Sequence, residues 1–289
     1  MQDFIDQFAT DRACREYIAA VRWGGLLACP HCGGSGFWGV RRDVLQCKAC
    51  RRDISITAGT VFGDSRIPLR LWFQALWLIV SQKSGVSALG LAHALGIKRY
   101  ETAWYLLQRI RGAMVRPGRE RLSGLVEVDE VFLGGVRPGI RGRGALGKVL
   151  ILVAVEDKGK KGIGRIRITI IPDASAASLW KAIETMIEPG STIRTDEWSG
   201  YPLIVKHGYQ HSAVKGNASV LGEDPTALVH RIASLLKRWL LGTHHGRVEE
   251  THLTAYLNEF VFRFNRRKSR SRGLLFLRLV QQMTGASKG

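Results

Sequence analysis

The spacing of the apolar residues changes near residue 117 and divides the chain into a helical part and a strand-rich part. In the first part, Phe4, Phe8, Cys14, Tyr17 and Val21 recur at roughly helical intervals, which predicts a helix within residues 1–24. Further helices are predicted over residues 68–83, 88–95 and 100–115. Residues 27–58 interrupt this pattern, because they are rich in glycine and cysteine and contain two strand-like pieces, 36–40 and 53–56.

Beyond residues 116–118 the pattern becomes typical of strands. Strands are predicted over residues 125–132, 149–156, 165–171 and 192–195, with a fifth candidate at 212–214, and helices over 173–187, 226–241 and 248–265. Three strands, a helix, two further strands and a helix follow one another in the order of an RNase H-like domain. The predicted fold class is therefore α/β, with an RNase H-like mixed-sheet domain after the helical part.

Four of the five cysteines form two CxxC pairs, Cys29 with Cys32 and Cys47 with Cys50. Four thiolates at this spacing can surround one zinc ion as a tetrahedron. Disulfides are disfavoured, because the acidic N-terminus lacks a secretory signal and indicates a reducing, cytoplasmic location. We therefore predict a structural zinc ribbon, in which His31 is a bystander.

Residues 86–104 have the pattern of a helix-turn-helix. Ala88–Leu95 is the first helix, Gly96 begins the turn, and the basic residues Lys98 and Arg99 precede the second helix. A basic helix start suits a helix that reads a DNA groove, so Lys98 and Arg99 are predicted DNA contacts. The alternative is an ordinary helical hairpin.

The charge of the chain narrows the class of partner. Lys and Arg outnumber Asp and Glu by 43 to 24, and the formal net charge is +19. Such a charge favours a polyanion such as DNA over an acidic protein or a membrane surface. A basic run at residues 266–272 adds Arg266 and Arg267 to the predicted DNA contacts. No apolar run in the sequence reaches the roughly 18 residues of a membrane helix, so no membrane partner is expected.

Two of the predicted strands lead into acidic residues. One carries Asp129 within the sequence Val-Glu-Val-Asp-Glu, and the other is followed directly by Asp196. Two aspartates on neighbouring strands can hold two divalent metal ions, which clamp the attacking and leaving oxygens of a phosphodiester. A single aspartate at a strand end is usually a turn cap, but two in this fold order predict a Mg²⁺ or Mn²⁺ site. Glu127 is expected on the same face of its strand as Asp129.

Several stretches of the chain together resemble one known group of proteins. They are CPHC (29–32), TAGTVF (57–62), VEVDE (126–130) with Gly134 and Gly135, TDEW (195–198), SLLKR (234–238) and YLNEFVFRFN (256–265). Over most of its length the chain is similar to bacterial insertion-sequence transposases that join an N-terminal zinc ribbon to an RNase H-like DDE-type domain. The resemblance implies that Asp129 and Asp196 bind the catalytic metal ions.

The chain departs from the family pattern at the third metal position. The pattern implies a Glu or Asn on the late helix about two turns before a lysine, whereas this chain has His230, seven residues before Lys237. Imidazole is a softer ligand than Mg²⁺ prefers. Our working hypothesis is that His230 is a ligand or a proton shuttle. Three interpretations stay open beside it: Glu223 or Asp224 supplies the third carboxylate, this copy is catalytically impaired, or His230 is an ordinary structural histidine.

Lys237 lies on the same face of the predicted helix as His230. It is predicted to hold a terminal phosphate near the metal ions, with Arg238 as a competitor for that role and a solvated lysine as the alternative. Trp198, close to Asp196, either stacks on a displaced base or packs in the core.

The combined prediction is a DDE-type transposase, here DDH-like, that cleaves DNA at the ends of an insertion sequence and transfers the freed 3′-hydroxyl to target DNA. Its cofactors are Mg²⁺ or Mn²⁺ in the catalytic site and Zn²⁺ in the ribbon. Its partners are the element ends and the target DNA, and pairing of two ends favours a homo-oligomer at the nucleoid. The alternatives are an RNase H-like nuclease or resolvase, and a non-catalytic DNA-binding protein derived from a transposase.

Three regions are expected along the chain. Residues 1–58 form an N-terminal helix and the zinc ribbon, residues 59–117 a helix-turn-helix-like DNA-binding region, and residues 118–289 the RNase H-like catalytic domain with a basic C-terminal tail.

Overall fold

A computed structural model of the chain describes residues 2–24, 28–41, 43–116, 118–134, 148–196, 202–213, 226–244 and 250–285. Contacts along the chain divide it into two units. The first contains residues 1–116 together with 269–289, and the second contains residues 117–268.

The ribbon of the first unit is a small antiparallel sheet. Its strands are β1 (Phe37–Arg41), β2 (Val44–Cys47) and β3 (Asp53–Ser55), in the order β1-β2-β3. The sequence predicted only the two outer strands. The central strand β2 has four residues, too few for an alternating pattern to show, and its last residue is a predicted zinc ligand.

The other regular elements described in the first unit are helices. They are α1 (Gln2–Gln7), α2 (Asp11–Trp23), α3 (Leu69–Ser81), α4 (Ala88–Leu95), α5 (Tyr100–Ala113) and, from the C-terminal end of the chain, the helix α9 (Arg272–Thr284). Thr10 splits the first predicted helix into α1 and α2, because its Oγ1 accepts a hydrogen bond from the Ala13 N–H at 3.2 Å and caps α2. The boundaries of α4 match the prediction, and Gly96, at φ 63°, ends that helix.

The helix α9, which the sequence analysis did not predict, follows the basic run of residues 266–272. Ser271 caps it, since its Oγ accepts a hydrogen bond from the Leu274 N–H at 3.1 Å. Its Phe276 ring lies 5.1 Å from that of Phe4 and 5.3 Å from that of Phe73, between ring centroids, within an aromatic core. Residues 269–289 therefore belong to the first unit, and the expected domain of residues 118–289 differs from the observed division in this respect.

The second unit contains a mixed five-stranded sheet. Its strands are β4 (Leu125–Leu133), β5 (Val149–Asp157), β6 (Ile163–Ile170), β7 (Thr192–Thr195) and β8 (Gln210–Ala213), in the order β6-β5-β4-β7-β8. The pairs β4–β5 and β5–β6 are antiparallel, whereas β4–β7 and β7–β8 are parallel. The helices are α6 (Ala176–Met186), α7 (Ala227–His244) and α8 (Glu250–Asn265). This strand order is that of an RNase H-like domain, so the predicted fold class is confirmed.

Helices cover both faces of this sheet. Val126 and Val128 of β4 pack in a core with α6, whereas Val131 packs in a second core with α7 and α8. Because side chains alternate along a strand, Glu127 and Asp129 lie on the face that α7 covers. None of the helices in the described ranges is long and apolar enough to cross a membrane.

Candidate functional site

The four ribbon cysteines form a cluster that fits a zinc ion. Their sulfur atoms all lie within 4.8 Å of one another, and the Cys29–Cys50 and Cys32–Cys47 sulfur pairs are 3.6 Å apart. A tetrahedral zinc site with Zn–S bonds of about 2.3 Å requires sulfur–sulfur distances of about 3.8 Å. The prediction of a closed four-cysteine site is therefore confirmed by the positions of the ligands.

Both halves of this cluster use the same backbone geometry. In each, the carbonyl of the first cysteine accepts a hydrogen bond from the N–H four residues later, at 2.8 Å from Gly33 to Cys29 and at 2.9 Å from Arg51 to Cys47. Gly33 and Arg51 both have positive φ, 74° and 62°. The backbone N–H of Cys50 points at the Cys47 sulfur and lowers the pKa of that thiol to about 7. A lowered pKa favours the thiolate that zinc binds.

Asp129 lies in the middle of β4 and not at a strand end as the sequence suggested, because β4 continues to Leu133. The parallel register pairs Glu127 with Arg194. Asp129 lies two residues beyond Glu127 on β4, and Asp196 lies two residues beyond Arg194, directly after the end of β7. Burial raises the pKa of Asp129, and the negative charge of Asp196 raises it further. A divalent cation would offset both effects, and carboxylate oxygens are the ligands that Mg²⁺ prefers.

The structure brings His230 against Asp129. The Nε2 atom of His230 lies 3.3 Å from Oδ2 of Asp129, and the same oxygen accepts a hydrogen bond from Thr226 Oγ1 at 3.3 Å. The other oxygen of Asp129 accepts from the Glu130 N–H at 2.7 Å. The sequence did not single out Thr226, because a threonine directly before a helix is usually a cap and carries no sign of a contact with a distant strand.

Lys237 and Arg238 lie on the exposed side of α7, two turns beyond His230 and Arg231. The opposite side of the helix buries Val229, Ile232, Ala233 and Leu236 in the core. Lys237 therefore shares the solvent-facing side with His230, as its spacing requires.

Lys98 and Arg99 are exposed at the start of α5, in the first unit, and Asp129 lies in the second. The pair α4 and α5 forms the two helices and short turn that the sequence predicted. Farther along, α5 buries Ala103 and Leu106 in the core, so most of its exposed surface is near its first turn.

Arg266 and Arg267 have partners within the second unit. Arg266 donates to the Phe262 carbonyl at 3.4 Å. Arg267 donates to the carbonyls of Ile163 and Gly164 on the edge strand β6, and to that of Phe264. These two arginines therefore stabilise the end of α8 and the sheet edge, a role that the prediction of a DNA-binding tail did not include.

Five predicted positions lie outside the described residues. Glu223 and Asp224 are the two alternative third ligands. Gly135, Glu197 and Trp198 belong to the stretches that resemble insertion-sequence transposases.

Comparison with known families agrees with this arrangement. The model of the ISXO2-like transposase domain matches residues 121–265, half of the chain, and a transposase zinc-ribbon domain matches residues 9–53. The chain belongs to the ISXO2-like transposase family. This membership and the cysteine cluster confirm the prediction that the chain is an insertion-sequence transposase with an N-terminal zinc ribbon.

One relative is an uncharacterised protein in the transposable element ISH50 of Halobacterium salinarum. It is 27% identical over 282 residues, which cover 90% of this chain and 92% of the relative. Among solved structures, the catalytic core domain of BIV integrase matches 52% of this transposase and 86% of its own chain, at 18% identity and a TM-score of 0.32. A simian T-cell lymphotropic virus intasome in complex with the PP2A regulatory subunit B56 gamma is a second match. The match covers 66% of this transposase and 65% of the intasome chain, at 13% identity and a TM-score of 0.32. The fold assignment rests on the strand order rather than on these two scores.

Proposed function

We propose that this transposase cleaves DNA at the ends of an insertion sequence and joins the freed 3′-hydroxyl to target DNA by metal-dependent phosphoryl transfer. One observation carries the proposal. Asp129 on β4 and Asp196 directly after β7 each lie two residues beyond a pair in the parallel register, and His230 lies 3.3 Å from Asp129. These side chains offer the oxygen and nitrogen ligands that a site for two divalent ions needs.

Each side chain has a proposed role. Asp129, held by the Glu130 N–H and by Thr226, and Asp196 bind Mg²⁺ or Mn²⁺. The bound ions would activate the attacking hydroxyl and neutralise the charge that develops on the leaving oxygen. His230 completes the ligand set or transfers a proton, and Lys237 binds a terminal phosphate from the same side of α7. The proposed ligand set is therefore two aspartates and a histidine (DDH), in place of two aspartates and a glutamate (DDE).

The test is a cleavage and strand-transfer assay with the full-length protein, Mg²⁺, and DNA fragments that carry the flanks of the element. The proposal expects single-strand cleavage at the element ends and covalent joining to a target. Cleavage of any DNA without joining indicates a nuclease or resolvase. Specific binding without metal-dependent cleavage indicates a DNA-binding protein derived from a transposase.

The first prediction concerns His230. Replacing it with alanine should lower the cleavage rate by about a hundredfold, since a missing ligand loosens the metal geometry. His230→Glu should keep or raise activity with Mg²⁺, because carboxylate is the harder ligand, and the histidine enzyme should favour Mn²⁺ over Mg²⁺. Single-turnover rates with each metal measure both effects.

The matched control is Arg231→Ala, the exposed neighbour of His230 on α7. It should affect DNA affinity more than the preference between metals. If His230→Ala is as active as the natural protein and either Glu223→Gln or Asp224→Asn is inactive, the third ligand comes from the segment before α7 and the assignment is wrong.

The second prediction concerns the interface with DNA. We propose that Lys98, Arg99, Lys237 and Arg238 contact phosphates of the element ends, and that two protein copies pair these ends. With about six phosphates contacted, affinity should fall by orders of magnitude over a fourfold rise in salt concentration. A salt titration by fluorescence anisotropy measures this slope, and an affinity indifferent to salt would contradict the interface.

A further inference from the structure

Glu127 is a buried carboxylate that lies on the same face of β4 as Asp129 of the candidate metal site. Its side chain is 3% exposed, and it faces α7 from β4, two residues before Asp129. One oxygen, Oε2, accepts hydrogen bonds from the backbone N–H groups of Leu228 at 2.9 Å and Val229 at 3.4 Å. The other, Oε1, accepts from Arg194 at 3.2 Å. Both oxygens therefore have partners within the protein.

The partners of Glu127 belong to the elements that carry the other candidate ligands. Arg194 lies on β7, two residues before Asp196, and Val229 directly precedes His230 on α7. Arg194 also reaches Asp157 of β5 at 3.4 Å. A single carboxylate thus connects β4, β7 and the start of α7, one or two residues along the chain from each side chain that would bind metal.

The contact has a clear physical basis. The first N–H groups of a helix have no partners within the helix, and a negative charge at that end is favoured by the helix dipole. A buried carboxylate in turn is stable only with charged and hydrogen-bonding partners, which Arg194 and these N–H groups supply. If the Glu127 carboxylate and the first N–H groups of α7 separated, each would be buried without a hydrogen-bond partner. The contact therefore holds the start of α7 in one place relative to β4.

We propose that Glu127 is the positioning residue of the metal site: through Arg194 and the first turn of α7, it holds Asp196 and His230 within reach of Asp129. The inference rests on the proposed function, since it takes these three residues as the ligand set. Groups that orient metal ligands typically contribute about 10- to 100-fold in metal affinity or activity.

A matched control exists in the same sheet. Glu156 of β5 is also buried, at 2% exposure, and it also pairs with an arginine, with 2.8 Å between Arg165 Nη2 and Oε1. It accepts backbone hydrogen bonds as well, from Ser123 at 3.3 Å and Arg165 at 2.9 Å. None of these partners carries a candidate ligand, so Glu156→Ala removes a similar buried pair without loosening the site.

The experiment compares Glu127→Ala, Glu127→Gln and Glu156→Ala in the full-length, zinc-loaded protein. Three quantities are measured: Mn²⁺ affinity by electron paramagnetic resonance, DNA cleavage rate, and amide hydrogen exchange of residues 228–232. In Glu127→Ala we expect about 10- to 100-fold weaker Mn²⁺ binding and slower cleavage, with faster exchange at the start of α7. Glu127→Gln should recover part of each loss, because its amide oxygen can still accept from the Leu228 N–H. Glu156→Ala should lose thermal stability while keeping all three quantities.

Two outcomes would overturn the inference. One is a folded Glu127→Ala protein whose Mn²⁺ affinity and whose amide exchange at residues 228–232 both equal those of the unsubstituted protein. The other is an equal loss of Mn²⁺ affinity and cleavage rate in Glu156→Ala, because the effect would then come from lower overall stability. If the natural protein neither binds Mn²⁺ nor cleaves DNA, the proposed function fails, and hydrogen exchange alone then decides whether Glu127 holds the start of α7.

Discussion

Asp129→Asn and Asp196→Asn should each eliminate cleavage and joining, with rates lowered by about a thousandfold or more. Loss of a single hydrogen-bond donor to a transition-state charge already lowers rates by about 100- to 1000-fold, and loss of a metal ligand should cost at least as much. The asparagine side chain keeps the shape and can still accept the Glu130 N–H, but it lacks the charge that holds a divalent ion. Binding of the element ends should persist, because the proposed DNA contacts are made by other side chains, namely Lys98, Arg99, Lys237 and Arg238. Single-turnover cleavage and anisotropy measurements on the same preparations separate the two effects.

Folding provides an internal check on Asp129→Asn. In the metal-free protein, burial and the charge of Asp196 both oppose the ionised form of Asp129, as the raised pKa of Asp129 indicates. Removing that charge should leave the thermal stability of the metal-free protein equal or higher. Asp173→Asn is the control, since this exposed aspartate lies outside the candidate metal site, two residues before the Ser175 cap of α6, and its Oδ1 accepts a hydrogen bond from the Ser175 N–H at 2.9 Å. Natural cleavage rates in either site variant would refute the two-metal assignment.

Removal of zinc should unfold the ribbon. The purified protein should carry one zinc ion per chain, and Cys47→Ser should release it. The buried core of the ribbon is small, consisting of Cys29, Cys47 and Ile54 with Trp23 and Phe37 against it. Metal binding must therefore supply most of the folding free energy, about 10 kcal/mol or more in small zinc domains. Specific binding of element ends should be lost more than chemistry on a DNA that is already bound.

Elemental analysis and circular dichroism of the full chain measure these effects. Cys14→Ala is the control, because Cys14 is a buried thiol outside the ribbon and its loss should leave the zinc in place. A protein without zinc, or one with a disulfide among the four ribbon cysteines, would contradict the prediction.

The sequence alone determined the features that depend on local pattern. Helix α4 and strand β7 have the predicted boundaries, because a capped helix and a short alternating strand are specified by neighbouring residues. The CxxC pairs identified the zinc ligands for the same reason, since ligand spacing is a local property. The order of strands and helices was sufficient for the fold class. The catalytic roles of Asp129, Asp196 and His230 stay predictions.

Only the tertiary structure decided which distant groups meet. Glu127 pairs with an arginine of β7 and with backbone N–H groups of α7, and no periodicity in the sequence indicates these contacts. Arg267 looked like part of a basic tail, but it covers a sheet edge. The helix α9 joins the N-terminal unit, because its apolar side is buried and it contacts α2, α3 and α5, which lie far away in sequence. Burial and hydrogen-bond partners depend on the packed fold, so side chains that read as solvated charges can become structural once the elements assemble.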